Sequence, residues 1–538
     1  MKKLVSRFMA VLMAMTMILS MSMTAFAAEA PKGTLTVNNT VAGKTLDLYQ
    51  IFTATKNGDN VAYTLNSAYE GFFKNNTRIP GSESLTGEAL SEKAYEYVKT
   101  QVGTDGKSGT GFAKEILGWI LENATTVATT HTTATTTDGS TVISGLEYGY
   151  YVVYPLGATD TSAAPGEQDY TSVASLVSVT GDTSINMKSN YPTVVKKVND
   201  KNADDVNIGD TVTYTLTSKV PDMTGYTSYV FNFKDTLSAG LTFKEITSVT
   251  VGDTTITKVD AGQEANNTYT LTQDGQNITI IMNNFLDSNK DNTGKEIKVT
   301  YTATLNKDAV TGFDANKNSA TVEYSNKPGT DNKGESEPSI VDVHTFNFTI
   351  FKYYLKGADK TGLANAEFEL YKANAEGTAA DENAKINIVK VKDGEYRQAT
   401  PEEATEEGFK SDVIVSGTDG KVLVKGLDAG TYYLRETKAP KGYNKLLSDI
   451  KVEIKANYDK TTGKLTSYSV DYTYNGTPIT GTEIKDTTTS PEVAVENKTG
   501  AQLPSTGSKG ALMVTLAGIV LFGALTASKA FGKKKANN

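Results

Sequence analysis

The 538-residue chain has no cysteine, two histidines and a single tryptophan. Without cysteine there is no disulfide, no thiolate ligand and no thiol nucleophile. His131 and His344 alone leave little to build a Ser-His-Asp enzyme or a histidine-rich zinc site. Basic residues are outnumbered, 53 against 62 acidic ones. The resulting net charge of −9 argues against nucleic acid as a partner, because phosphates need a basic face. Hydrophobic residues reach only 38%. Even so, 28 tyrosines and 18 phenylalanines can help to fill cores. At about 150 residues per domain, the length points to three or four domains.

Both ends read as processing signals rather than fold. Lys2, Lys3 and Arg7 precede an apolar, Met-rich run from Phe8 to Met21. Ala25-Phe26-Ala27 then offers a small-x-small cleavage site, making residues 1–27 a signal peptide. The apolar run is short for a membrane anchor. At the other end, Leu503-Pro504-Ser505-Thr506-Gly507 is followed by an apolar stretch, Ala511 to Ala527, and by Lys529, Lys533, Lys534 and Lys535. Basic residues after an apolar span hold the C-terminus on the cytoplasmic side. In that order, residues 501–538 resemble the cell-wall sorting signal of Gram-positive surface proteins. The resemblance implies that a sortase cuts between Thr506 and Gly507. Trimming both ends removes eight basic and no acidic residues, taking the net charge from −9 to −17. An exported chain would be permitted disulfides, so the lack of cysteine leaves any staple to another chemistry.

Strand signals dominate the rest: alternating runs rich in Thr, Val and Tyr, such as Thr211 to Leu216 and Lys298 to Ala303, broken by Gly, Asn and Asp. The pattern predicts a mainly β protein of tandem immunoglobulin-like β-sandwiches with a few helical insertions. One helical stretch, Ser91 to Trp119, is interrupted near Gly103 to Gly111. The Thr-rich run Ala124 to Thr137 reads as a loop. Three units are expected, at 28–187, 188–342 and 343–500. A linker containing Pro328, Gly329 and Pro338 separates the last two. The run Asp287 to Asn292 lacks the glycine and terminal glutamate of an EF-hand loop. It reads as a turn, and neither a metal nor a cofactor is expected.

Side chains alternate faces along a strand, so residue parity tells which way a charge points. Lys196 shares a face with Val194 and Val198, Asp235 with Phe231, Phe233 and Leu237, and Asn318 with Ala320, Val322 and Tyr324. The set recurs in the third unit. Lys352 aligns with Phe346, Phe348 and Ile350, Glu436 with Tyr432 and Leu434, and Asn497 with Val493 and Val495. Parity excludes Glu369, which points opposite to Phe368 and Leu370. A single inward lysine reads equally well as a snorkelling side chain or a buried ion pair. A lysine, an acid and an asparagine repeated in the same order read better as chemistry. Burial lowers a lysine pKa and raises a carboxyl pKa. A neutral amine is a nucleophile and a protonated acid polarises an amide carbonyl. The product is a Lys–Asn isopeptide bond, with ammonia released.

At these residues the chain resembles the backbone subunits of sortase-assembled Gram-positive pili. Tyr433-Leu434-Arg435-Glu436-Thr437-Lys438-Ala439-Pro440-Lys441-Gly442-Tyr443 matches that family's E-box at every defined position. The resemblance implies that Glu436 serves Lys352 and Asn497, and that Asp235 serves Lys196 and Asn318. It also implies an acceptor lysine before the second unit, where the family commonly carries Tyr-Pro-Lys. This chain departs from that pattern, reading Lys188-Ser189-Asn190-Tyr191-Pro192-Thr193. Lys188 is the expected acceptor and Lys197 its competitor.

The implied protein is a structural shaft subunit, joined from Thr506 to Lys188 of the next copy and covalently attached to the wall at the cell surface. Its implied partners are identical subunits, a pilus-type sortase, a housekeeping sortase with peptidoglycan, and minor pilins. Its only chemistry would be autocatalytic and single-turnover. The alternative is a wall-anchored monomeric adhesin for a host or carbohydrate ligand, with no use for an acceptor lysine.

Overall fold

The computed structural model describes residues 31–103, 109–158, 173–187 and 191–500. The signal peptide, Lys188 and the segment Leu503 to Gly507 with its apolar span lie outside the described residues. Among the described residues, no helix is long and apolar enough to cross a membrane. The fold is mainly β, as alternation predicts, and divides into two compact units. The first holds the described residues up to Val310 with Asp314–Thr345 and Tyr458–Leu465. The second holds Thr311–Phe313, Phe346–Asn457 and the described residues from Thr466 onward.

The first unit opens with a three-stranded sheet in which Lys32–Thr40 lies between Gly139–Glu147 and Asp182–Asn186. A second sheet orders Asn60–Leu65, Thr45–Asn57, Gly149–Pro155 and Ser175–Val179. Two helices, Gly87–Val102 and Gly109–Glu122, make up the helical stretch, broken where the sequence predicts an interruption. The first buries Leu90, Ala94 and Val98, an i, i+4, i+8 stripe. It closes at Gly103, whose φ of +61° suits glycine best. The Thr-rich run departs from the expected loop. His131–Thr135 is a strand paired to Thr45–Tyr49, as β-branched threonines allow once a partner edge is present.

Residues 195–344 form two further sheets in the same unit. One orders Leu241–Val251, Glu296–Leu305, Thr211–Lys219 and, at its edge, Val195–Val198. The other runs through Ala203–Asp205, Ser339–His344, Asn316–Ser325, Phe231–Leu237, Asn277–Met282 and Thr268–Asp274. The expected linker is part of this sheet: Lys333–Glu335 and Ser339–His344 both pair with Asn316–Ser325. Its prolines fall outside those two strands, so no ladder donor is lost. The run from Asp287 begins inside a short helix, Phe285–Asn289.

The second unit is also a pair of sheets. Phe346–Lys356 is flanked by Lys421–Leu427, antiparallel, and by Glu492–Glu496, parallel. The opposite sheet centres on Gly430–Lys438 between Glu367–Ala373 and Ile450–Tyr458.

Two buried lysine–acid–asparagine sites

In the first unit the edge strand Val195–Val198 presents Lys196 inward, with Val194 and Val198 buried beside it and Val195 exposed. The register pairs Lys196 with Leu216, and Ser339 Oγ accepts from the Lys196 backbone N–H at 2.9 Å. On the opposite sheet Asp235 pairs with Ala320, and Asn318 with Leu237. Asp235 and Asn318 are therefore diagonal neighbours on one face. The side chains meet across the sandwich. Lys196 Nζ makes a short contact to Asp235 Oδ2 and donates to Tyr301 Oη at 2.8 Å. Tyr301 Oη donates to Asp235 Oδ2 at 2.8 Å and accepts from Asn318 Nδ2 at 2.7 Å. Lys196, Asp235, Asn318 and Tyr301 are at most 2% exposed. Tyr214 and Tyr301, stacked with centroids 5.1 Å apart, wall the amine, which lies about as far from each ring, at 5.0 and 5.2 Å.

Burial pushes the Lys196 amine down to about 8, against the pull of Asp235. Burial also raises the Asp235 carboxyl, despite Lys196 and Tyr301. Both shifts favour moving the lysine proton onto the acid. Asp235 Oδ1 and Asn318 Oδ1 are buried without a hydrogen-bond partner. Both are acceptors while the carboxyl is ionised, and protonation would turn Asp235 into a donor.

The second unit repeats the composition with a different division between sheets. Lys352 and Asn497 lie on and just beyond adjacent parallel strands, with Lys352 opposite Val495. Glu436 comes from the facing sheet. The Lys352 backbone packs against Gly420, its N–H donating to the Gly420 carbonyl at 2.8 Å. There φ is +80°, and a Cβ would stand 2.2 Å from the Lys352 carbonyl oxygen. Lys352 Nζ is 3.0 Å from Glu436 Oε1. That contact is an ion pair by distance but is not aligned as a hydrogen bond. Asn497 Nδ2 donates to Asn444 O at 2.6 Å and, at 3.4 Å, to Glu436 Oε2. The Leu446 backbone N–H donates to Glu436 Oε2 at 2.7 Å. Burial lowers the Lys352 amine to about 8, with Glu436 opposing. Asn497 Oδ1 is again without a partner.

Each site thus brings together an amine, a carboxyl and an amide carbonyl away from water. A buried ion pair is a poor stabiliser compared with apolar packing, so two such pairs each beside an unsatisfied amide oxygen suit a reaction better than a scaffold. Glu369 is excluded as parity predicts, pairing with Lys385 at 2.6 Å near the surface. Sequence reasoning missed Tyr301, although its strand alternates Ile297, Val299, Tyr301 and Ala303, all buried. It also missed the backbone groups of Asn444 and Leu446, which no side-chain pattern encodes. Lys197 is partly buried and its Nζ donates to Asn202 Oδ1 at 2.5 Å. Lys188 is outside the described residues.

Comparison with known proteins falls on the same regions. Residues 208–328 match the family described as Gram-positive pilin backbone subunit 2, Cna-B-like domain. Residues 352–468 match the SpaA prealbumin-like fold domain. The chain is 27% identical over 329 residues to the trypsin-resistant surface T6 protein of Streptococcus pyogenes, covering 55% of this chain and 51% of that protein. It is 30% identical over 272 residues to the fimbrial subunit type 2 of Actinomyces naeslundii, covering 46% and 48%. These alignments span about half the length of the curated relatives. Among solved structures, the T6 backbone pilin of serotype M6 S. pyogenes overlaps 84% of this chain and 89% of its own, at 19% identity and a TM-score of 0.43. The family resemblance read from the E-box and the two residue sets is met by both domain matches.

Proposed function

We propose that this chain, with its pilin-backbone domain and its prealbumin-like domain, is the shaft subunit of a covalently polymerised pilus on a Gram-positive surface. The observation that carries the reading is the pair of buried lysine–acid–asparagine sites, one in each compact unit. At each, a proton passes from lysine to acid, the neutral amine attacks the asparagine carbonyl, and ammonia leaves. Lys196–Asn318 would tie opposite sheets together. Lys352–Asn497 would tie two neighbouring strands of one sheet. Asp235 and Glu436 are the acids, and the chain is otherwise structural.

Assembly joins Thr506 of one copy to Lys188 of the next through a pilus-type sortase. A housekeeping sortase then fixes the fibre to peptidoglycan, and minor pilins complete it. The order of attachment supports this reading. Tension entering at residue 188 and leaving at 506 crosses both cross-linked regions and bypasses residues 28–187. Cells expressing the chain with its matching sortase should give a ladder of high-mass species in wall extracts. A single band would favour the monomeric adhesin.

The reaction should also carry a pH signature. The reactive form of the Lys196–Asp235 pair holds one shared proton, on the acid, with the amine neutral. That proton is lost above about pH 8, where the buried Lys196 amine titrates. At low pH a second proton converts the amine to ammonium. Bond formation in newly translated chain, followed by mass, should therefore trace a bell and fall on the alkaline side. A rate still climbing towards about pH 10, the range of an ordinary lysine, would contradict the shared-proton scheme.

A further inference from the structure

We propose that Tyr301 is a catalytic residue of the Lys196–Asn318 reaction, its hydroxyl carrying a proton from the attacking amine to the departing nitrogen. The inference rests on the cross-linking reading and extends it. Tyr301 Oη touches all three reacting groups: it accepts from Lys196 Nζ at 2.8 Å and from Asn318 Nδ2 at 2.7 Å, and it donates to Asp235 at 2.8 Å. Amide aminolysis has a proton problem that the acid alone does not solve. The attacking nitrogen must shed a proton, and the leaving nitrogen must gain one before it can depart as ammonia. Among the described residues, the phenol is the one side chain hydrogen-bonded to both nitrogens.

The steps balance. Lys196 first gives its extra proton to Asp235, along their short contact. The Asp235 oxygen that accepted the tyrosine hydroxyl no longer needs that donor, and the phenol proton can turn towards Asn318. The neutral amine adds to Asn318 Cγ, and the carbonyl electron pair moves to Oδ1, which takes the proton of Asp235. Nζ passes a proton to Tyr301 Oη as Oη passes its own to Nδ2. The carbonyl re-forms, its proton returns to Asp235, and the C–Nδ2 bond breaks with its electron pair on nitrogen. One amide and one ammonia result, Tyr301 is regenerated, and nothing is oxidised or reduced. A burial-raised phenol pKa keeps the hydroxyl neutral, so it relays rather than ionises. Among the described residues, no tyrosine hydroxyl is hydrogen-bonded to Lys352 or Asn497 at the second site. Its asparagine nitrogen donates to the Asn444 carbonyl instead, so the two reactions can be compared within one molecule.

The test is Tyr301→Phe in the full chain, which removes the hydroxyl and keeps the ring on Tyr214. Newly translated protein is sampled over time and digested, and the two branched peptides are read separately by mass. The 196–318 bond should form about 100-fold more slowly or not at all, in line with loss of a general acid–base group. The 352–497 bond should form at the wild-type rate. Wild-type kinetics for 196–318 in Tyr301→Phe would overturn the inference. Absence of that bond from the wild type would instead overturn the cross-linking reading. If the variant's middle region fails to fold, the wild type in D2O decides. A two-proton relay predicts greater slowing at 196–318 than at 352–497, and equal slowing would refute it.

Discussion

Lys188→Arg should abolish the high-mass ladder while leaving both internal bonds in place. On the proposed assembly, a sortase acyl-enzyme at Thr506 would be resolved only by an amine that is exposed and neutral at the moment of attack. Lys196 cannot serve, being 1% exposed and bound to Asp235. Lys197 is engaged with Asn202. Lys188 falls between two residues anchored in the fold: Met187, whose N–H donates to Asn38 O at 2.9 Å, and Tyr191, whose ring lies under Lys44 at 4.8 Å. Arginine keeps the charge and the solubility, but its guanidinium stays protonated and offers no nucleophile. The effect is all-or-none, visible on a denaturing gel of wall extracts. A ladder that survives Lys188→Arg and vanishes with Lys197→Arg would move the junction to Lys197.

The second large effect is on stability. Asn318→Ala should lower the melting temperature and open residues 195–344 to trypsin. Each proposed bond closes a loop of well over 100 residues, for which the chain-entropy argument gives about 5 kcal/mol before native strain. Asparagine is the informative partner to remove. Asp235→Ala would strand a buried lysine charge, which itself costs about 3–5 kcal/mol, so its effect would mix two causes. Asn318→Ala leaves Lys196 and Asp235 paired, and the loss reads chiefly as the missing cross-link. Asn497→Ala should do the same for the second unit. Equal protease resistance in variant and wild type would show that the bonds do not brace the fold.

Much of this was legible because strands have a period of two. Parity alone turned Lys196, Asp235, Asn318, Lys352, Glu436 and Asn497 towards cores, and all six are at most 2% exposed. Parity names a face, not a neighbour. It could not tell that Asp235 and Asn318 share a sheet facing Lys196 while Lys352 and Asn497 share one facing Glu436, because strand pairing joins residues far apart in sequence. The same limit hid Tyr301, which reads as one more core aromatic until Thr211–Lys219 and Glu296–Leu305 are paired. It hid the strands at His131–Thr135 and Lys333–Glu335 as well, since each forms against an edge supplied by a distant segment.

Intact mass of residues 28–506 tests the central claim most directly. The wild type should weigh two ammonia molecules less than its sequence. Asp235→Ala and Glu436→Ala should each restore one, the first by sparing Lys196 and Asn318, the second by sparing Lys352 and Asn497. An unmodified wild-type mass would contradict the account, leaving two buried ion pairs with no reaction to explain them.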